Sequence, residues 1–248
     1  MTGLTQEPGD SPEAKAEAVR AMFASIAHRY DLVNSVLSLN QDRYWRGCAA
    51  AACGLKPGDR ALDVACGTGL LALELARLVG REGRVVGLDF CPEMLARARE
   101  NLERTPLGEV VELVAGEATD LPFPDHSFDA AAIGFALRTV PDLERTIAEM
   151  VRVVRPGGRV VSLELAKPEL PVLKQAYSLY LHRVVPLIGR LGVGFSGPYD
   201  FLSASLEHFP HQAQIRDLFV RLGLVDAQYS KLTGGIVAVQ AGTKPRPS

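Results

Sequence analysis

The chain has 248 residues, 47% hydrophobic and 23% charged, an ordinary globular composition that excludes a disordered chain or one needing disulfide or metal staples. With 27 basic against 29 acidic residues and a net charge of -2, no global field draws it to nucleic acid. Cys48, Cys53, Cys66 and Cys91 show no CxxC spacing, so no metal site is expected, and no apolar run of ~20 residues marks a spanning helix.

Residues 1–11 are rich in Gly, Pro and acid, are expected to be disordered, and lack the pattern of a secretion signal. From Pro12 a helical run places Val19, Met22, Phe23, Ile26 and Tyr30 on one stripe. A second helix, from Gln41 to about Cys53, puts Tyr44, Trp45, Cys48 and Ala52 on one side. These two helices fill residues 12–58 and stand before any strand, as a lid over the sheet.

Residues 60–165 then alternate strand and helix. "RALDVA" is a strand, Leu70 to Val79 a helix, "RVVGLD" a strand, and Pro92 towards Arg104 a helix. "VVELVAG" and "SFDAAAIGF" are further strands, and Leu143 to Val154 is a helix closed by Pro156-Gly157-Gly158 before the strand "RVVSLEL". Asp129 is expected to fix a strand start, with Phe123 and Phe128 packed together. Such alternation with apolar strands predicts an α/β fold whose mostly parallel sheet carries helices on both faces. Residues 168–210 break the rhythm as a helical, aromatic insert on the substrate side. Residues 211–242 return to a helix and two strands joined at Gly234-Gly235, a turn between antiparallel neighbours. Residues 12–248 thus read as one domain.

Asp63-Val64-Ala65-Cys66-Gly67-Thr68-Gly69 lies between a strand and a helix. Gly67 and Gly69 allow a tight turn and close ligand approach, and the helix start offers free N–H groups. The same glycines satisfy a loose dinucleotide fingerprint, so a nicotinamide or flavin cofactor is the alternative. Asp63 favours S-adenosylmethionine, because a carboxylate beside the loop repels pyrophosphate and attracts an ammonium or sulfonium. Asp89, ending the next strand, stands where a carboxylate accepts from ribose hydroxyls, with Phe90 beside it; Asp89 also suits capping of the helix at Pro92. Glu117 and Ala118 follow the third strand, in a loop expected beside an adenine ring.

"MFASIAHRYDLVNSVLSLNQDRYWR", "LPFPDHSFDAAAIGFALRTV", "VVRPGGRVVSLELAKP" and "LTGGIVAVQAG" closely resemble the ubiquinone/menaquinone C-methyltransferase family, over about residues 19 to 242. The resemblance implies the Rossmann-like Class I methyltransferase fold with a seven-stranded sheet, in which S-adenosylmethionine becomes S-adenosylhomocysteine. It implies C-methylation of a quinol ring, demethylmenaquinol to menaquinol, with Thr68, Asp89, Glu117, Ala118 and Gly134 at the cofactor. Arg138 matches an arginine suspected of assisting substrate deprotonation. Being always protonated, it suits stabilising a phenolate. Tyr30 is the second candidate for chemistry, with Asp31, His208 and His211 as further ones, although Asp31 also suits fixing the bend between the first two helices. Cys66 and Leu70 stand where the family has glycine and aspartate, Gly134 where it has serine, and Thr139 where it has asparagine. These departures favour a second reading, a related enzyme acting on another small aromatic or a lipid amine.

The segment from Val172 to Phe195 carries Leu173, Ala176, Tyr177, Tyr180, Val184 and Leu187 at helical spacing, punctuated by Lys174, Arg183 and Arg190. It reads as a helix over the sheet and as an apolar wall for an isoprenoid tail. The expected partners are a lipid quinol or other aromatic small molecule, the membrane at its periphery and a second copy in a homodimer, with no nucleic acid. The expected location is the cytoplasm and the inner face of the membrane.

Overall fold

Apolar strands separated by helices with one apolar stripe bury best as a sheet covered on both sides. The computed structural model, which describes residues 12–185, 205–206 and 208–247, has this arrangement. Its strands are β1 (Arg60–Val64), β2 (Arg84–Asp89), β3 (Val111–Ala115), β4 (Phe128–Gly134), β5 (Val154–Leu165), β6 (Val225–Leu232) and β7 (Val237–Thr243). They lie in the order β3-β2-β1-β4-β5-β7-β6. The first five run parallel, and β7 is antiparallel to β5 and β6. The strand order reverses between β1 and β4, so the loops leaving these strands part and open a crevice at their carboxyl ends.

Among the described residues the α-helices are α1 (Pro12–Ile26), α2 (Tyr30–Leu37), α3 (Gln41–Ala52), α4 (Leu70–Val79), α5 (Pro92–Glu103), α6 (Leu143–Val153), α7 (Pro171–Leu179) and α8 (Gln212–Arg221). Successive strand residues point to opposite faces. Leu62 and Val64 of β1 therefore share one core with Phe128, Ile147, Met150 and Phe219, while Ala61 joins Trp45, Ala72 and Leu75 on the other. Each fully buried Leu or Phe contributes ~1.5–3 kcal/mol. Asp63 follows Ala61 on the α3–α4 side and is only 1% exposed.

Three expectations need correction. The N-terminal region holds three helices, not two. The backbone turns at Ala27–Arg29, where Arg29 N donates to Ile26 O, and α2 begins at Tyr30. Tyr44 is 57% exposed rather than on the buried side of α3, which is formed by Asp42, Trp45, Ala49 and Ala50. Pro156-Gly157-Gly158 does not close α6. Extended backbone at Val154 (φ -79, ψ 137) ends that helix, and β5 already contains all three residues. Proline is tolerated there because the register with β4 shifts between Phe128 and Ala130.

Other expectations hold. Asp129 accepts from Arg60 N at 2.7 Å, tying two strand starts, and Phe123 meets Phe128 edge to face at 5.2 Å. Gly234 and Gly235 turn the β6–β7 hairpin at φ +70 and +91. Trp45 Nε1 donates to Thr233 Oγ1 at 2.7 Å, fastening α3 to that turn. Residues 186–204 of the expected insert, including Leu187, Arg190 and Phe195, lie outside the described residues, as do residues 1–11. Beyond α7 the chain continues as a π turn, Tyr180–Val184. Among the described residues no helix is long and apolar enough to cross a membrane.

Candidate active site

The crevice at the carboxyl ends of β1, β2 and β4 holds three cavities in a row. The outermost, about 380 Å³, is lined by Val19, Leu88, Asp89, Phe90, Glu117 and Ala118 among others. The middle one, about 680 Å³, includes Asp63, Gly67, Thr68, Leu70 and Gly134. Asp89, Ala65 and Thr139 border both. The third, about 1490 Å³, is mostly apolar and meets the middle one at Tyr30, Arg46 and Phe135.

The glycine loop is built by left-handed backbone at Gly67 (φ +53) and Gly69 (φ +78). A Cβ on Gly67 would meet nothing within 4 Å, so its backbone is open, whereas one on Gly69 would lie 3.3 Å from Ala98 Cβ in α5. Asp89 braces the loop: Gly67 N donates to its Oδ2 at 2.7 Å and Cys91 N to its Oδ1 at 2.9 Å. It does not cap α5 as expected: the residue at that helix's N-cap is Cys91, no side chain caps it, and Asp89 holds only the Cys91 N–H there. A carboxylate oxygen accepts more than one bond, so Asp89 keeps capacity for ribose hydroxyls at the boundary of the first two cavities.

Asp63 lines the middle cavity, and its Oδ2 is buried without a partner. Burial pushes its carboxyl up to about 8; a backbone bond from Ala72 opposes this and nearby Asp89 adds to it. An orphaned buried acceptor beside an open glycine loop lacks a cationic donor. The ammonium and sulfonium of S-adenosylmethionine supply that charge, whereas a dinucleotide's pyrophosphate would repel it. The residues present thus fit the first cofactor and not the alternative.

Thr68 is 4% exposed, and its hydroxyl donates to Asp31 Oδ1 at 2.6 Å. Asn101 Nδ2 donates to Asp31 Oδ2 at 2.8 Å. Asp31 thus ties α2 to the glycine loop and α5, rather than fixing the bend between helices. Gly134 borders the middle cavity, and a Cβ there would come 3.1 Å from Leu71 Cδ2. A side chain at this position would need the Leu71 methyl to give by a few tenths of an ångström. Thr139 spends its hydroxyl on Ala136 O at 2.8 Å. Cys66 is buried, which raises its thiol well above the usual range and makes it a packed residue, not a nucleophile. His211 caps α8, accepting from Ala213 N and completing a capping box with Gln214. Neither it nor His208 lines the three cavities.

Tyr30 opens α2 at the junction of the middle and large cavities. Burial raises its hydroxyl, and the cations of Arg138 and Arg46 oppose that rise. Arg46 is itself paired with Asp42 at 2.8 Å. Arg138 lines the large cavity and is ion-paired with Glu164 of β5, with only 8% and 2% of their side chains exposed. Sequence reasoning missed Glu164: in "SLEL" it reads as an ordinary polar position of a strand, and its partner lies 26 residues away. Of the expected wall residues, Leu173, Ala176, Tyr177, Tyr180 and Val184 border this cavity.

A sequence profile of the ubiE/COQ5 methyltransferase family matches residues 11–244. The chain is 46% identical over 236 residues to a demethylmenaquinone methyltransferase of Desulfitobacterium hafniense (strain Y51), covering 95% of this chain and 93% of that protein. It is 41% identical over 233 residues to the protein of that name from Shouchella clausii (strain KSM-K16), covering 94% and 99%. Among solved structures, a SAM-dependent methyltransferase from Aquifex aeolicus shares the fold with a TM-score of 0.61 at 17% identity, covering 86% of this chain and 96% of that one.

Proposed function

The chain belongs to the ubiE/COQ5 methyltransferase family, and from that premise we propose that it methylates a ring carbon of a lipid quinol with S-adenosylmethionine, carrying demethylmenaquinol to menaquinol. The observation that carries this reading is the junction between a cofactor-sized crevice and an apolar cavity of about 1490 Å³ at Tyr30, Arg46 and Phe135. Its lining is mostly apolar, from Leu37, Leu173, Ala176, Val185 and Ile236 among others, which suits a ring with a long apolar tail.

The cofactor supplies an electrophilic methyl group on a sulfonium. Phe90, Glu117 and Ala118 form its adenine end, Asp89 its ribose contact, and Asp63, Gly67, Thr68, Gly69 and Gly134 its methionine end. Tyr30 and Phe135 align the ring across the junction, which supplies the proximity that in-line transfer needs. Arg138 places a fixed cation beside the ring hydroxyl and favours its ionised form, which makes the neighbouring carbon nucleophilic. Incubation with labelled cofactor and reduced demethylmenaquinone should move label to the quinol. Label reaching a lipid amine or an unrelated phenol instead would overturn the acceptor.

We place access to the large cavity at the lipid surface. Val36, Leu39 and Val184 border the cavity yet are 49%, 82% and 38% exposed, and Leu179 and Val172 of α7 are exposed as well. Lys174 and Arg183 line a shallow groove on α7 with Leu179. Apolar groups flanked by cations suit an anionic bilayer. The protein should co-sediment with anionic vesicles and leave them in high salt; failure to bind at low salt contradicts peripheral contact.

A further inference from the structure

Beside the large, mostly apolar cavity lie three buried polar atoms without hydrogen-bond partners: Nε of Arg138 and Oη of Tyr177, two residues that line it, and Oε2 of Glu164, the ion-pair partner of Arg138. Glu164 is 1% exposed and Tyr177 is 9% exposed. Arg138 donates from one guanidinium nitrogen to Glu164 Oε1, and Leu165 N donates to the same oxygen at 2.8 Å. Both of these bonds converge on Oε1. The three orphans comprise one donor, one acceptor and one hydroxyl, and Arg138 and Tyr177 both line the cavity.

A buried ion pair is weak as a source of stability, because desolvation offsets its attraction. Leaving an acceptor of that pair unsatisfied adds a further cost. A group that both donates and accepts completes the set. A ring hydroxyl does so, with its O–H pointed at Glu164 Oε2 and its oxygen taking a bond from Arg138 or Tyr177.

We propose that Glu164 is the proton acceptor for the acceptor ring's hydroxyl, with Tyr177 positioning that hydroxyl and Arg138 holding the resulting phenolate. The assignment rests on the quinol reading of the site. The hydroxyl proton passes to Glu164, and the freed electron pair makes the adjacent ring carbon nucleophilic. That carbon bonds the methyl group as the methyl–sulfur bond breaks with its pair kept by sulfur. The carbon then sheds its own hydrogen as a proton to water, which restores the aromatic ring, and Glu164 returns the first proton to the oxygen. The net product is one proton released per methyl transferred.

The ionisable groups bordering the same cavity are Arg138, Tyr177 and Tyr180 of the α7 segment, Tyr30 of α2 and the Arg46–Asp42 pair of α3. β7, which pairs with β5 here, presents only Val237, Ala238 and Val239. Burial raises the Glu164 carboxyl while Arg138 opposes the rise. A proton acceptor must be ionised to work, so activity falls as the pH drops and the carboxylate takes up its proton.

Two readouts of Glu164→Gln separate chemistry from structure. The glutamine oxygen still accepts a bond, so the Kd for 1-naphthol without cofactor should stay within about threefold while kcat falls ~10²–10⁴-fold. The acidic limb of kcat/KM against pH should also vanish. Glu164→Asp keeps the charge, so it should retain that limb at a reduced rate, and it serves if the glutamine variant does not fold. Glu164→Leu should weaken 1-naphthol binding about tenfold or more. Near-normal kcat or an unchanged acidic limb in Glu164→Gln overturns the proposal, as does full 1-naphthol affinity in Glu164→Leu. If wild type binds 1-naphthol through Glu164 but does not methylate demethylmenaquinol, the quinol reading fails and the hydroxyl receptor stands.

Discussion

Replacing Asp63 by asparagine is expected to weaken S-adenosylmethionine about 10- to 100-fold and, at pH 7–8, to make the cofactor-free protein more stable. Both effects come from one atom. Oδ2 is buried, unpartnered and beside the glycine loop, so the cofactor's cation has a charge to meet there. A hydrogen bond to a charged group contributes ~1.5–3 kcal/mol, which sets the affinity loss. Without cofactor the same burial is a burden, holding the carboxyl at about 8 against an ordinary 3.8. Between those values the folded chain keeps a proton that the unfolded chain has released, so stability falls as pH rises through the window. Asparagine has no proton to lose, and its Tm without cofactor should exceed wild type by ~5 °C or more near pH 8, converging on it towards pH 4. Calorimetry at pH 7 in buffers of different ionisation enthalpy should show ~1 proton released when the cofactor binds wild type and none with the variant. Unchanged affinity, or a Tm difference independent of pH, would contradict the assignment.

Arg138→Met should lower kcat ~10²–10³-fold while leaving cofactor affinity intact, because the guanidinium lies at the large cavity and borders neither of the other two. It should also destabilise the fold by ~3–5 kcal/mol, since Glu164 is left buried without its cation. Loss of that cation moves the Glu164 carboxyl further up, because Arg138 is what lowers it. The destabilisation is therefore present above the ordinary carboxylate range and fades as pH falls to ~4, where both states hold the proton. Arg138→Lys keeps the charge without the fork, so its kcat should fall between the two. Thermal melts across pH and cofactor titrations separate these effects. A normal kcat in Arg138→Met removes the residue from the chemistry.

The parts of the molecule written in adjacent residues were legible in the sequence. The β1–glycine loop–α4 unit, with Asp63, Gly67 and Gly69, is one unbroken stretch of chain, and Asp89 ends the very next strand. Apolar runs against stripes were enough to place the strands and α4. What escaped depends on contacts between distant residues or on small backbone changes. The break before α2 contains no proline or glycine, and the apolar stripe of α1 runs on to Tyr30 across it. Asp31 looked like a local bend residue because its partners, Thr68 and Asn101, are 37 and 70 positions away. Pro156-Gly157-Gly158 carries a helix-stop signature, but the register shift against β4 absorbs it within a strand. Glu164 sits in a strand whose neighbours are apolar, and only the fold shows that Arg138 waits opposite.

The claim that the methyl group reaches a ring carbon is tested most directly by the position of the label in the product. Reduced demethylmenaquinone should be incubated with the protein and ¹³C-methyl S-adenosylmethionine, and the extracted quinone examined by NMR. The account predicts a single new methyl signal coupled to the quinone ring carbons, with one equivalent of S-adenosylhomocysteine formed. An O-methyl signal, or cofactor turnover with no label on the quinone, would contradict it.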